Sequence, residues 1–297
     1  MTQPAASKLL RELEQTLGVE LFVRHTRGVA PTWYGEILVR HARSVLAELK
    51  HAFDEVSALK SGLSGQAAIG TVITSATDLV PQAVAILKQR FPQVLISIEM
   101  DFSEALLHRL QEGKLDMVIA RIHNPLDLTE LHFEPLEEAP HAMVARAGHP
   151  LARKRGLRWD ALVPQTWVIP PPGNVMRDRL TLLLLEQGLE MPRQIVETSS
   201  LPVITSLLEI SDMIAPLPEE VVRPYCTSGI LTQLPIRLDL RLGPAGIITR
   251  RDHKLSPGAR ATLSVLREEA ARRSTLIAEE KLHGKRRGRA GPVKLTR

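Results

Sequence analysis

A chain of 297 residues is long enough for two or three compact units. Aromatic residues make up only 3%, so any core must be built from Leu, Val, Ile and Ala. No apolar run approaches the roughly 18 residues that span a bilayer, and no charged-then-apolar leader opens the chain. A cytoplasmic protein with no membrane partner is therefore expected. The single cysteine, Cys226, excludes an intramolecular disulfide and a cysteine-based zinc site. The net charge of +5 comes from one place: seven basic residues lie from Lys281 onward with no acidic residue among them, and without them the body carries −2. The basic balance alone thus says nothing about whether the folded part binds nucleic acid.

In chain order, Thr2 is placed to cap a helix whose apolar positions Ala6, Leu9, Leu10, Leu13 and Leu17 recur every three or four residues. Gly18 ends it. The outer face carries Gln3, Ser7, Lys8, Arg11 and Glu14. Leu21–Arg24 and Val29–Pro31 then flank the turn 25–28, which reads as a hairpin. Thr32 caps a longer helix through about residue 62. Its apolar positions Leu38, Ala42, Val45, Leu49, Ala52, Val56, Leu59 and Leu63 alternate spacings of four and three, the period of a paired coiled coil. Packing of that helix on its own domain is the plainer alternative. A Ser/Gly linker follows at 61–65.

From residue 66 short apolar runs alternate with helices, predicting two tandem α/β blocks with parallel sheets. Strands are expected at 67–72, 94–100, 115–119, 167–169, 194–197, 213–216 and 245–249. Helices are expected at 79–90, 104–111, 175–187, 201–210 and from Pro257 to about Arg272. The domain plan is 1–32, 33–64, 65–276 and a disordered basic tail at 277–297. Lobe I of the third unit takes 65–142 and 242–276, and lobe II takes 143–241. The tail reads as solvated, with an arm that binds DNA phosphates as the alternative.

The run Thr2-Gln3-Pro4-Ala5-Ala6-Ser7-Lys8-Leu9-Leu10-Arg11-Glu12-Leu13-Glu14, with Leu17–Arg24 and Arg27–Thr32 after it, resembles the recognition helix and wing of LysR-type transcriptional regulators. Gly148-His149-Pro150-Leu151 resembles that family's entry into its second lobe. Pro170-Pro171-Pro172-Gly173 with Arg177, Arg121-Ile122-His123 and the segment 131–136 look like the branch around galactose-binding-protein and protocatechuate-pathway regulators. The resemblance implies an α/β fold: a partial winged helix-turn-helix, a linker helix, and a two-lobed effector domain of the periplasmic-binding-protein type with Rossmann-like lobes. In that family two helices precede the recognition helix and bury its leucines, whereas this chain opens inside it; a start set too far downstream is the expectation. Trp33-Tyr34 stand where the family has small or acidic residues and are candidates to cover those leucines.

The resemblance implies that Gln3, Pro4, Ala5, Ser7, Lys8 and Arg11 face the major groove of promoter DNA, with Arg24 and Arg27 of the wing on the flanking backbone. A small anionic or sugar-like effector is expected between the lobes. Thr74, Ser75 and Thr77 in the first lobe, and Thr198, Ser199 and Ser200 in the second, each place hydroxyls between a strand and a helix, where either an anion or plain capping uses them. Arg121 is a charge partner for a carboxylate, and Pro171, Asn174 and Arg177 follow by resemblance. Homodimers or homotetramers, and contact with RNA polymerase, are implied as well. No cofactor or metal is expected.

An enzyme is the first rival, but there is no phosphate loop, zinc spacing or G-x-S-x-G elbow, and the ten histidines are scattered. A small-molecule-binding protein that has lost DNA binding is the second.

Overall fold

The structure, a computed structural model, describes residues 3–25, 28–61, 65–122, 129–136, 140–240, 242–251 and 253–287. The chain opens with α1 (Gln3–Leu17), the hairpin β1 (Phe22–His25) and β2 (Gly28–Pro31), and the long α2 (Trp33–Ser61). Gly18 stops α1 in the left-handed region at φ 69°. Thr32 caps α2: its hydroxyl accepts from Gly35 N at 3.1 Å and donates to Glu20 O at 2.7 Å. Buried Leu21 seats the hairpin against this junction. Glu14, expected on the outer face of α1, instead turns toward the hairpin, where its Oε1 accepts from the amides of Leu21 and Phe22 at 2.8 and 3.3 Å. A charge-assisted bond to two orphan amides outweighs solvation of that carboxylate.

Two α/β lobes follow. Lobe I holds β3 (Gln66–Thr71), α3 (Ile73–Ala76), α4 (Leu79–Arg90), β4 (Leu95–Met100), α5 (Ser103–Gln111), β5 (Met117–Ala120) and β6 (Leu131–Pro135). Its five-stranded sheet runs β4-β3-β5-β12-β6, where β12 (Gly246–Arg250) returns from the far end of the chain and pairs antiparallel with both neighbours. Side chains alternate across this sheet. Met117, Ile119 and Ile247 pack under α4 and α9 (Pro257–Arg287), while Val118, Ala120 and Ile248 pack under α5. Both faces are covered, which is why these strands read as continuous apolar runs.

Lobe II holds β7 (His141–Arg146), β8 (Trp167–Ile169), α6 (Val175–Glu186), β9 (Ile195–Glu197), α7 (Leu201–Ile210), β10 (Ala215–Pro218), α8 (Glu219–Thr227) and β11 (Leu231–Gln233). The sheets β10-β7-β11 and β8-β9 are joined by a parallel bridge between Trp167 and Ile214. The resulting order, β9-β8-β10-β7-β11, repeats that of lobe I, with β7 in the antiparallel position that β12 takes there. His141 already pairs with Pro218, so lobe II begins two residues before the expected boundary.

The sequence reading differs from the structure in three further places. Strands β6, β7 and β11 and helix α8 were not expected. Ile73–Ala76 forms its own short helix inside the expected hydroxyl-bearing turn. Helix α9 continues to Arg287, past Arg272 and eleven residues into the segment 277–297 assigned to a disordered tail. Residues 273–287 contain no proline and are rich in Arg, Lys, Leu and Glu, so adding turns to an existing helix costs little.

Arg267 of α9 grips Glu134 of β6 through two bonds of 2.5 and 2.8 Å. This guanidinium holds the Glu134 carboxyl below its ordinary value of 4.5, against the opposing pull of partial burial, with His132 at 3.3 Å assisting. A depressed carboxylate contributes stability above its unfolded value and loses it as pH falls through the folded one. Both side chains are partly exposed, so the pair contributes about 1 kcal/mol or less. Glu134→Gln should lower the melting temperature at pH 7 slightly, and the difference from the parent should shrink as pH falls below 4.5 through the depressed folded value; a difference that stays the same across that range would refute this assignment.

Candidate functional site

The first surface is the outer face of α1. Pro4, Ala5, Lys8 and Arg11 are exposed and Ser7 is half-buried on that face. Arg11 Nε donates to Ser7 O at 3.2 Å, and Lys8 reaches Glu12 at 3.8 Å, so neither cation is held in a strong pair. Gln3 starts the helix and Arg24 lies in β1, while Arg27 falls outside the described residues. On the opposite side Leu9, Leu13 and Leu17 are 40–54% exposed. Trp33 and Tyr34, at 71% and 55%, do not cover them as the sequence reading suggested. Along α2 the expected stripe is likewise open: Val45, Leu49 and Val56 are more than half exposed, beside Leu46 and Phe53.

The second surface is a cleft where the strand ends of lobe I meet α8 of lobe II. It is lined by Thr74, Ser75, Leu79, Arg121, Leu136, Glu220, Ala245, Ala270, Arg273 and Ser274, and is open to solvent, with about 50 Å³ of enclosed space. Three expected residues meet here. Thr74 and Ser75 are buried, and the Thr74 hydroxyl oxygen has no hydrogen-bond partner among the described residues. Arg121, just past β5, donates from Nε to Gly243 O at 3.1 Å, and its amide donates to Ser103 Oγ at 3.2 Å.

The remaining expected residues do not line this cleft. The Thr77 hydroxyl donates to Ile73 O and Thr74 O, closing α3. Asn174 caps α6, its Oδ1 accepting from Met176 N at 2.9 Å. Pro171 is half-buried beside it. Arg177 is bound to Glu197 and to Pro170 O, which ties α6 to β9. Thr198 Oγ1 accepts from Ser200 N at 3.2 Å, and Ser200 stands at the N-cap of α7 without a side-chain cap bond. Ser199 Oγ is buried and unpartnered among the described residues. The anion reading for Thr74 and Ser75 rested on a helix following them. Because α3 is only four residues long and contains them, what they offer is side-chain hydroxyls rather than a helix terminus.

His149 explains its own motif. Its buried ring accepts from Leu151 N at 3.1 Å through Nδ1, which leaves Nε2 to donate to Asp212 O at 3.2 Å, fastening the turn after β7 to the loop before β10. Cys226 is half-buried, and burial pushes its thiol up, away from the thiolate a nucleophile needs.

Residues 60–271 match the model of the LysR substrate binding domain, and residues 1–36 match that of the bacterial regulatory helix-turn-helix protein, lysR family. The chain belongs to the LysR family. Among its relatives, the HTH-type transcriptional regulator GbpR of Azospirillum brasilense is 35% identical over 268 residues, covering 90% of this chain and 78% of that protein. The HTH-type transcriptional regulator PcaQ of Agrobacterium fabrum is 30% identical over 270 residues, covering 91% and 87%. A full-length OxyR variant from Pseudomonas aeruginosa has the same architecture, with a TM-score of 0.62 at 25% identity over 91% of this chain and 86% of that one. This LysR-family protein is thus a ligand-responsive, DNA-binding transcriptional regulator and not an enzyme. No described helix is long and apolar enough to cross a membrane.

Sequence reasoning missed Glu220 and Arg273, which share the cleft with Thr74 and Arg121. Nothing local marks either: one sits in a short helix that contains Pro224, the other in a run of ordinary helix formers.

Proposed function

We propose that this regulator reads promoter DNA in the cytoplasm with the outer face of α1, and that a small anionic or sugar-like effector in the inter-lobe cleft sets how the protein engages that DNA. Gln3 bonds base edges, Pro4 and Ala5 meet thymine methyls, and Ser7, Lys8 and Arg11 reach phosphates or guanine, with Arg24 and Arg27 on the flanking backbone. Thr74, Ser75 and Arg121 hold the effector from lobe I, and Pro171, Asn174, Thr198, Ser199 and Ser200 approach it from lobe II. The unpartnered, buried Thr74 hydroxyl carries the effector reading, since an unsatisfied buried hydroxyl costs about 1–3 kcal/mol unless a ligand or water satisfies it. Bound DNA also positions RNA polymerase.

The test is fluorescence anisotropy of the full chain on DNA from its own upstream region, across a salt series. Binding should weaken steeply with salt. Replacing Lys8 by alanine should reduce the slope of log K against log salt by about one if it neutralises a phosphate. A slope unchanged in Lys8→Ala and Arg11→Ala would remove these residues from the interface.

The exposed stripe on α2 supports pairing of two copies through this helix, since a lone helix would not leave Val45, Leu49 and Val56 in water. Tetramers form through the effector domains, where edge strand β4 leaves Leu95, Ile98 and Met100 exposed. The double change Leu49→Lys, Val56→Lys should halve the mass of the assembly in sedimentation velocity; unaltered mass would place the dimer interface elsewhere.

A further inference from the structure

We propose that Arg273 is an exchangeable latch between the two lobes, and that an oxyanion entering the cleft takes over the guanidinium from Glu220. This rests on the cleft being the effector site. Arg273 projects from α9, in lobe I, and meets two carboxylates at once. One is Asp78, which precedes α4 in its own lobe; the other is Glu220, in the first turn of α8 in lobe II, at 3.6 Å. All three side chains are about four-fifths buried, with 18%, 22% and 18% of their surface exposed, so the charges interact with less screening than a surface pair would.

The two contacts are unequal. Asp78 is in close hydrogen-bond contact with Arg273 and accepts a further bond from Gln82 on its other oxygen. Glu220 stands at ion-pair range, and no hydrogen bond joins it to Arg273. Lobe I therefore holds its arginine firmly while lobe II touches it loosely, which makes Glu220 the partner to be displaced. A guanidinium carries five N–H donors in a fixed fork, so it can accept a ligand carboxylate or phosphate while keeping Asp78. The exchange swaps one anion for another and leaves the arginine paired throughout, which avoids the cost of an unpaired buried charge.

The same cleft presents Arg121, the Thr74 and Ser75 hydroxyls, and an apolar wall of Leu79, Leu136, Ala245 and Ala270. That set suits a small ligand with an oxyanion head and a short apolar body. Because the effector and Glu220 compete for one group, the ligand binds the unlatched arrangement better than the latched one. Such a difference in affinity is what any ligand needs in order to shift a conformational equilibrium.

The experiment measures lobe separation in the full chain by double electron–electron resonance. Spin labels replace the exposed residues Glu104 in lobe I and Arg193 in lobe II, in a Cys226→Ser background, diluted with unlabelled protein. Without ligand, Glu220→Gln should lengthen and broaden the distance distribution relative to the parent, and Arg273→Gln should do the same. Should Arg273→Gln fold poorly, Arg273→Lys keeps the charge and should give an intermediate distribution. Inorganic phosphate, titrated at constant ionic strength, should move the parent toward the Glu220→Gln distribution and leave Glu220→Gln itself unmoved. An unchanged distribution in Glu220→Gln overturns the latch. A response to Glu220→Gln with none to phosphate overturns the exchange. Failure of the cleft as an effector site reads differently: a cleft-filling Ala245→Phe would then leave the effect of inorganic phosphate on DNA binding, at constant ionic strength, intact, whatever the lobe distances do.

Discussion

Gly35→Ala is expected to weaken DNA binding at least tenfold while leaving the effector domain's thermal transition where it is. Alanine normally favours a helix interior over glycine by about 1 kcal/mol. Here a Cβ at position 35 would lie 2.0 Å from Leu21 O and 3.2 Å from Pro31 Cβ, inside contact that no side-chain rotation relieves. The carbonyl it strikes is the one that accepts from Thr32 N at 2.8 Å, so the clash falls on the joint between wing and linker helix. Steric exclusion exceeds the propensity gain, and the hairpin must move away from α2, carrying α1 and its outer face out of register. A tenfold loss corresponds to about 1.4 kcal/mol. Gly18→Ala is the comparison: it also departs from a glycine-specific role, φ 69°, but nothing lies within 4 Å of the added Cβ. It should cost about 1 kcal/mol of local strain and far less affinity. Equal losses in the two variants would show that backbone freedom, and not close approach, governs this region. The readouts are anisotropy on operator DNA and calorimetry.

Trp167→Ala should destabilise lobe II by about 3–5 kcal/mol. The indole is fully buried in a core of Met143, Leu162, Leu180, Leu184 and Ile214, and its Nε1–H donates to Leu162 O at 2.9 Å. Truncation leaves a cavity and removes one of the two bonds that Leu162 O accepts, the other coming from Gln165 N at 3.0 Å. It also sits where the bridge to Ile214 joins the two parts of the sheet, so the loss should not stay local. Trp167→Phe keeps most of the volume and forfeits the hydrogen bond, and should cost about 1–2 kcal/mol beyond the smaller ring's packing. Denaturant unfolding followed by far-ultraviolet circular dichroism separates the cases. A Trp167→Ala protein as stable as Trp167→Phe would mean that the core collapses to fill the space.

Much of this architecture was legible because local and tertiary preferences agree. The cap at Thr32, the stop at Gly18 and the alternation of apolar runs with helices each read the same way at both levels. The strands β6 and β11 escaped because their residues mix polar and apolar types, as in Leu-His-Phe-Glu-Pro and Leu-Thr-Gln, and their partners lie far along the chain, whereas β7 carries the short apolar run Ala-Met-Val-Ala with no turn signal or alternation to mark it as a strand. Thr74, Ser75 and Arg121 could be picked out because they follow strands at the edge where such sheets open. Arg273 could not, since its meeting with Asp78 depends on α9 returning across 195 residues. The position of Glu14 shows the limit in miniature: helical periodicity put it outside, and two amides of the following strand drew it in.

The way β12 threads between β5 and β6 has a consequence for synthesis. Lobe II is contiguous from β7 to β11, whereas lobe I is interrupted and is completed only by β12 and α9, the last described elements to leave the ribosome. Translation proceeds from the amino end and units close as their parts emerge. The second lobe can thus settle while the first still waits with open strand edges, and DNA-reading surfaces are released before the module that governs them is whole. A chain released before Gly246 would carry a finished lobe II beside an unfinished lobe I, an exposed substrate for chaperones and proteases.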